Sequence, residues 1–371
     1  MAKSQAAVRR IVVKVGSSVL TNRTGQPDVR RFERLASELA ACVERSHEVI
    51  LVSSGAIACG MGKLGYARRP KALPELQACA AVGQGQLMRL YNEIFSRRGL
   101  TVAQVLLTQS DFADARRCRN AKLTLATLLK HRAVPIINEN DVVAVEEIAF
   151  GDNDRLAALV ACLVQAQLLV ILTDVDGLLR DGQVIGRIDR LDHGHQAAAM
   201  GASRETTTGG MSAKLAAARI AQHGGIPLVI ANGTKAGVLG EILDGKPVGT
   251  LISPPKVKLA FRKWWIAFSA RNPLGSVVVD DGAARALIDG GKSLLPSGIR
   301  DVRGRFHAGD PVTIVDPADA EIGRGLSNFS SSDLIRIRGM KSRQVPDALG
   351  RKAAEEAIHR NNMVLIHELE R

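Results

Sequence analysis

Residues 10–52 read RIVVKVGSSVLTNRTGQPDVRRFERLASELAACVERSHEVILV. The β-branched run Ile11–Val15 predicts a strand, apolar residues at three- and four-residue spacing over 28–46 predict a helix, and Glu48–Val52 predicts a second strand. The same alternation continues outward. Strands are expected at Thr101–Leu107, Ala133–Ile137, Leu168–Thr173 and Ile226–Ile230, with helices near 75–98, 113–131, 153–165 and 212–223. This is the pattern of an α/β domain, a mainly parallel sheet sandwiched by helices, here assigned to residues 8–255. The pattern breaks at Ser253-Pro254-Pro255, and a basic linker containing Trp264 and Trp265 is expected over 256–275. Beyond it, short strands at Ser276–Val279 and Pro311–Val315, a helix at Ala283–Asp289 and many glycines suggest a small β-rich domain, 276–355, with a tail at 356–371.

Length alone suits two or three domains. The chain has 371 residues, 46% hydrophobic and 23% charged, which is ordinary for a globular protein. With only 3% aromatics, the core must come from Ala, Val, Leu and Ile, as in parallel sheets covered on both faces. Net charge is +13, which favours anionic partners. Residues 1–260 hold 33 basic and 23 acidic side chains, and 261–371 hold 17 and 14, so the excess sits mainly in the larger domain. The N-terminal MAKSQAAVRRIVVKVG lacks an apolar h-region with a small-residue cleavage site, so no signal peptide and a cytoplasmic location are expected. The most apolar run, Leu156 to Leu172, is interrupted by Gln165 and Gln167 and reads as a helix then a strand, short of a membrane span. Cysteines 42, 59, 79, 118 and 162 are odd in number, widely spaced and free of any C-x-x-C pair, which points to buried, reduced thiols instead of disulfides or a zinc site.

In open α/β sheets, ligands bind beyond the carboxyl ends of the strands. The residues there are Lys14-Val15-Gly16-Ser17-Ser18, Ser53-Ser54-Gly55-Ala56, Asn138-Glu139-Asn140-Asp141 and Thr173-Asp174. Two further loops open helices, Gly151-Asp152-Asn153-Asp154 and Thr208-Gly209-Gly210-Met211-Ser212-Ala213-Lys214. Gly-rich turns entering helices offer unpaired N–H groups and the positive helix end, which suits a phosphate. Each loop alone has a plain reading: Gly-Gly as a turn, Asp-Asn-Asp as an N-cap, a lysine as a solvated charge. Their recurrence at successive strand ends favours a ligand site. Competing motifs fail on context. Gly60-Met61-Gly62-Lys63-Leu64-Gly65 matches a dinucleotide fingerprint, but it starts eight residues after Val52 and lacks an acidic residue about 20 further on. Gly291-Lys292-Ser293 resembles a P-loop end, but Ala286 stands where the first glycine belongs. There is no G-x-S-x-G, H-E-x-x-H or metal-spaced Cys/His set, and His193 and His195 suit a surface turn.

The segments VVKVGSSVLT (12–21), VSSGAIACG (52–60), AAVGQ (80–84), PIINENDVV (135–143), GDNDRLAALVA (151–161), ILTDVDGL (171–178) and TGGMSAKLAAA (208–218) resemble the amino acid kinase family. RKWWIAFSA (262–270), VVVDDGA (277–283) and SLLPSGI (293–299) resemble the junction and C-terminal PUA domain found in the branch of that family that phosphorylates the side-chain carboxylate of L-glutamate. The resemblance spans nearly the whole chain, in order. One departure is Leu178–Ile188, which is compact and proline-free where the family often has a longer Asp-Pro-Arg loop.

The resemblance implies ATP as phosphoryl donor with Mg²⁺, L-glutamate as acceptor, and L-glutamyl 5-phosphate as product, the first step toward proline. Lys14 and Lys214 are the expected catalytic lysines, with Asp154 as the carboxylate that holds them. Thr173 and Asp174, together with Thr208, Gly209, Gly210, Met211, Ser212, Ala213 and Lys214, are the expected nucleotide-binding residues, joined by Lys14. Asp141, Asn153 and Ser54 are expected to bind the amino acid, with Asp152 and Asn138 in a second tier. No metal ligand is assigned, because Mg²⁺ normally keeps waters and substrate phosphates. The resemblance also implies feedback inhibition by proline and assembly into dimers or tetramers. Rival readings are a related kinase with another acceptor, or an RNA-binding or regulatory protein built on a kinase fold. Arg336 to Arg343 holds four basic residues and could contact phosphates, but with little excess charge in 261–371 and no aromatic stacking set an ordinary solvated edge strand is the preferred reading. Retention of Lys14, Asp154, Asp174 and Lys214 together argues for the enzyme.

Overall fold

The computed structural model describes residues 10–22, 25–143, 153–192, 194–195, 210–255, 258–269 and 273–370. They form two units, one running to Lys258 and the other starting at Leu259.

The first unit is built on strands β1 (Arg10–Val15), β2 (Glu48–Ser53), β3 (Val102–Leu107), β4 (Val134–Glu139), β5 (Leu168–Thr173), β6 (Leu179–Arg180), β7 (Gln183–Val184), β8 (Arg187–Ile188), β9 (Leu228–Asn232) and β10 (Thr250–Ile252). Its longer helices are α1 (Val29–Glu44), α2 (Ala56–Lys63), α3 (Leu73–Ser96), α4 (Ala115–Lys130), α5 (Asn153–Leu163), α6 (Met211–His223) and α7 (Val238–Leu243). The main sheet runs β3-β4-β2-β1-β5-β9-β10-β8. Pairs from β3 through β9 are parallel, while β10 joins β9 antiparallel. Strands β4 and β5 are buried at every residue, and β1 at every residue after Arg10, as expected of a sheet covered on both faces. The edge strand β3 is only partly covered.

Side-chain caps set several helix starts. Asp28 accepts from the Arg30 N–H ahead of α1, and Asp114 accepts from Arg116 and Arg117 ahead of α4. The expected strand Ile226–Ile230 begins later, at Leu228. The Ile226 N–H is taken by the Ala221 carbonyl, and Pro227 has no N–H for the ladder. The compact 178–188 loop is a two-residue hairpin between β6 and β7, turning on Asp181 (φ 52) and Gly182 (φ 77). Helices α2 and α3 cross at van der Waals distance between backbones. A Cβ on Gly60 would lie 1.8 Å from the Cys79 carbonyl oxygen, and one on Gly83 would lie 1.7 Å from that of Ala56.

The second unit has a sheet of β11 (Gly275–Val279), β12 (Ile299–Gly304), β13 (Pro311–Val315), β14 (Glu321–Leu326) and β15 (Met363–Leu365), ordered β12-β11-β13-β14-β15. Helices α8 (Phe261–Phe268), α9 (Asp281–Ile288) and α10 (Ser331–Ile337) accompany it. The stretch read as linker contains α8, whose Trp264 is buried and stacks on Phe261 at 5.6 Å. The stretch read as tail contains β15, which pairs with β14, and Ile358, which is buried in this unit's core. The Arg336 to Arg343 strip is not an edge strand. It covers the end of α10 and a following turn, where Arg336 donates to the Ala348 carbonyl at 2.6 Å and Arg338 pairs with Asp301 at 3.1 Å.

All five cysteines are free, and four are buried; Cys59 is partly exposed. Burial pushes the Cys42 and Cys59 thiols up to about 11, so neither is a thiolate at neutral pH. Among the described residues no helix is long and apolar enough to cross a membrane.

Candidate active site

Register places the carboxyl ends of β1, β2, β4 and β5 side by side: Val15 stands opposite Ser53 and Leu172, and Val52 opposite Ile137. Three residues far apart in sequence meet there. Lys14 Nζ lies 2.6 Å from Asp154 Oδ1, and Lys214 Nζ lies 3.2 Å from Asp154 Oδ2. Asp154 is wholly buried, and the lysines are 5% and 6% exposed. Isolated charges at such depth are costly, so the carboxylate makes the two ammonium groups tolerable. The trio still carries one excess positive charge. Beside it, Gly16 turns away from β1, its N–H bonded to the Leu172 carbonyl at 3.0 Å. Lys214 sits in the first turn of α6, whose N-cap Gly210 offers no side-chain acceptor, leaving helix N–H groups for an external anion. A buried cationic pair at two helix and strand ends suits a polyphosphate.

A second cluster occupies the ends of β2 and β4. Asn153, first residue of α5, directs Nδ2 at the Ser53 carbonyl (3.2 Å), Ser54 Oγ (2.9 Å) and Asn138 Oδ1 (3.0 Å). Asn138 Oδ1 also accepts from the Glu139 N–H at 2.9 Å, and its Nδ2 donates to Gln84 Oε1 at 2.9 Å. Beneath them, the Ser53 hydroxyl bonds the buried Tyr91 OH at 2.8 Å. Gly55, at φ 106, lets the chain reverse from Ser54 into α2.

Asp141 follows β4 and is half-buried; no hydrogen bond joins it to Asn153 or Ser54 among the described residues. Burial pushes its carboxyl above the ordinary aspartate range, opposed by the Arg69 guanidinium. At the end of β5, Thr173 Oγ1 donates to Asp174 Oδ1 at 3.1 Å, and Asp174 is exposed. Gly210, Met211, Ser212 and Ala213 open α6 beside Lys214. Thr208, Gly209 and Asp152 lie outside the described residues.

Two features escaped the sequence reading. Gln84 was quoted within a motif but given no role, because it lies inside α3 far from any strand end. Asp176 is bridged by Lys235 Nζ (2.6 Å) and Asn232 Nδ2 (2.9 Å), which holds its carboxyl below the ordinary range. Asn232 closes β9, so applying the strand-end rule to that strand points to this group. Among the described residues no three His, Cys, Asp or Glu side chains converge to hold a metal.

Comparison with known proteins shows the family. The amino acid kinase family model matches residues 9–232, and the PUA domain model matches 275–349. Glutamate 5-kinase of Moorella thermoacetica is 47% identical, covering 99% of this chain and 98% of that protein. Glutamate 5-kinase of Caldanaerobacter subterraneus is 46% identical over 98% of this chain and 99% of its own. Among solved structures, carbamate kinase from Giardia lamblia bound to AMP-PNP superposes with a TM-score of 0.50 at 19% identity, covering 67% of this chain and 99% of that one, a likeness of fold. The chain therefore belongs to the amino acid kinase family, in its glutamate 5-kinase branch with a C-terminal PUA domain.

Proposed function

We propose that the chain transfers the γ-phosphoryl group of ATP to the side-chain carboxylate of L-glutamate, giving L-glutamyl 5-phosphate for proline biosynthesis in the cytoplasm. The observation that carries this reading is the buried Lys14–Asp154–Lys214 bridge beside an amide cluster at neighbouring strand ends. A free glutamate side chain, with pKa about 4.3, is already ionised at neutral pH, so the nucleophile needs no general base. The difficulty is bringing an anion to a polyanion and stabilising charge that spreads over the transferring oxygens. Lys14 is assigned to the β/γ-phosphates and Lys214 to the γ-phosphate and leaving group. Asp154 sets the spacing of the two ammonium groups and acts as a positioning residue. With the Asp154 carboxylate set between the two buried ammonium groups, the charge pattern is in place before ATP arrives.

Thr173, Asp174 and the loop 208–214 are assigned to the nucleotide; Asp141 to the substrate ammonium; Asn153 and Ser54 to orienting the amino acid. Mg²⁺ would supply charge neutralisation on the triphosphate. The residues present fit an ion carried by phosphate and water, since Asp154 is already spanned by two lysines and no described carboxylate cage competes for it. Proline as feedback inhibitor and assembly into a dimer or tetramer belong to the same reading. RNA binding by the PUA unit is not favoured, because Arg336 and Arg338 are engaged within their own domain.

Hydroxamate trapping with ATP, Mg²⁺ and L-glutamate, with and without proline, tests donor, acceptor, acyl phosphate and regulation together. A preference for N-acetylglutamate, aspartate or UMP would overturn the acceptor assignment. Salt-dependent RNA binding at micromolar concentrations with no ATP-dependent transfer would favour the RNA reading instead.

A further inference from the structure

The amide cluster leaves one donor over. The Ser53 backbone carbonyl can only accept, so Asn153 must face it with Nδ2. The Glu139 backbone N–H can only donate, so Asn138 must face it with Oδ1. The Asn153 to Asn138 bond satisfies both demands at once. Asn138 Nδ2 is then turned toward Gln84, whose facing atom has to be the acceptor Oε1. No orientation remains free along this chain of amides, and Gln84 is obliged to present Nε2 at its end. That nitrogen is sealed from water and has no hydrogen-bond partner among the described residues. A buried N–H without an acceptor costs about 1–3 kcal/mol, and such groups are rare in folded proteins.

The backbone holds the donor in place. Gly83, the preceding residue, is pressed against Ala56 at the start of α2, the helix that begins just after Ser54 and Gly55. The residue as a whole is only partly buried.

We infer that Gln84 binds the acceptor amino acid, its Nε2 donating to a carboxylate oxygen of bound L-glutamate. This rests on the acceptor proposed above and assigns a new residue to it. Topology favours the amino acid over the nucleotide. The relay sits at the ends of β2 and β4, whereas Thr173 and Asp174 end β5. Strands β2 and β1 stand between β4 and β5, about 14 Å at the usual strand spacing of ~4.8 Å. The relay also meets the acceptor at both ends: Asn153, donating through Nδ2, keeps Oδ1 for the substrate ammonium, while Gln84 supplies an N–H for a carboxylate.

The test is Gln84→Glu in the full chain, which keeps an acceptor for Asn138 but places an anion where the substrate oxygen should lie. Hydrogen bonds to charged groups are worth about 1.5–3 kcal/mol, so the KM for L-glutamate should rise roughly 10- to 100-fold while the KM for ATP stays within about twofold. Gln84→Met, which removes the donor without adding charge, should raise it less, in the same direction. Thermal unfolding of both variants is measured in parallel. An unchanged glutamate KM overturns the inference, and so does a loss in which both KM values and the unfolding midpoint change together, because that marks a purely structural amide. Wild-type protein is assayed alongside. If it forms no glutamate-dependent hydroxamate, the acceptor reading fails and this inference with it; if it does and Gln84→Glu matches it, only the role of Gln84 fails.

Discussion

Replacing Asp154 with Asn probes the centre of the site. The carboxylate is 0% exposed and touches Lys14 at 2.6 Å and Lys214 at 3.2 Å. At an effective dielectric constant of about 20, Coulomb's law gives attractions of roughly 6 and 5 kcal/mol at those separations, most of it offset by the cost of burying the ions. The net loss on removing one partner of a buried ion group is about 3–5 kcal/mol, because the remaining charges are stranded. In a domain of this size each kcal/mol shifts the melting midpoint by ~2–4 °C, so Asp154→Asn should lower it by roughly 6–20 °C. Two consequences separate this account from simple loss of packing. Saturating ATP should recover part of the loss, since its phosphates supply negative charge to the same lysines. Adding Lys214→Met to Asp154→Asn should make the apo protein more stable than the single variant, because one stranded cation disappears. Turnover by hydroxamate trapping should fall about 10²- to 10³-fold in the single variant, as expected when a preorganised charge array is lost. A midpoint within 2 °C of wild type, or a double variant less stable than the single one, would refute the reasoning.

Lys14→Met and Lys214→Ala should each reduce turnover by roughly 10³-fold or more in folded protein, read by hydroxamate formation alongside circular dichroism; near-normal rates would contradict their assignment. Gly83→Val should destabilise by more than about 3 kcal/mol in a denaturant titration, since even its Cβ would fall 1.7 Å from a backbone oxygen. Tyr91→Phe should cost about 1 kcal/mol by removing its hydrogen bond to the buried Ser53 hydroxyl, which keeps its bond to the Ser54 carbonyl at 3.0 Å, and a gain in stability would contradict that contribution. Asp141 has its pKa raised by burial, so its ionised form is disfavoured by folding at neutral pH, and the penalty fades as pH falls from that raised value through the ordinary aspartate range. Asp141→Asn should therefore raise the melting midpoint at pH 7, lose that advantage in acid, and still raise the glutamate KM; a lower midpoint at pH 7 would reverse the sign of this argument.

Much of the catalytic unit was legible from local chemistry. The run Leu168–Thr173 matches β5 end to end, and Pro311–Val315 matches β13, because short β-branched or apolar runs bounded by turn residues have few other stable conformations. Helix ends near 28–46 and 113–131 shifted by one or two residues to positions set by Asp28 and Asp114 caps. The Arg336 to Arg343 strip was misjudged because a helix end fed by Ser330 and a basic edge strand look alike in composition. The hairpin at Asp181-Gly182 carried its signal in plain view and was passed over as a compact loop.

Alternating periodicity, read from the sequence alone, determined the fold class, and strand-end chemistry marked the loops that hold Lys14, Asp154 and Lys214; that the three act together was what the family resemblance implied. Periodicity and loop composition are properties of neighbouring residues, and neighbours in sequence suffice to reveal them. The order β4-β2-β1-β5 is a different kind of fact, decided by which buried faces satisfy one another across long loops, and only the tertiary structure contains it. That order sets Ser54, Asn138 and Asn153 within one hydrogen-bonded group and brings Asp154 between lysines 140 residues before it and 60 after. It also brings in Gln84 from the middle of α3, where periodicity alone assigns nothing beyond a helix. An amide's orientation is settled by the donors and acceptors around it in space, which is why its free N–H is a property of the folded chain.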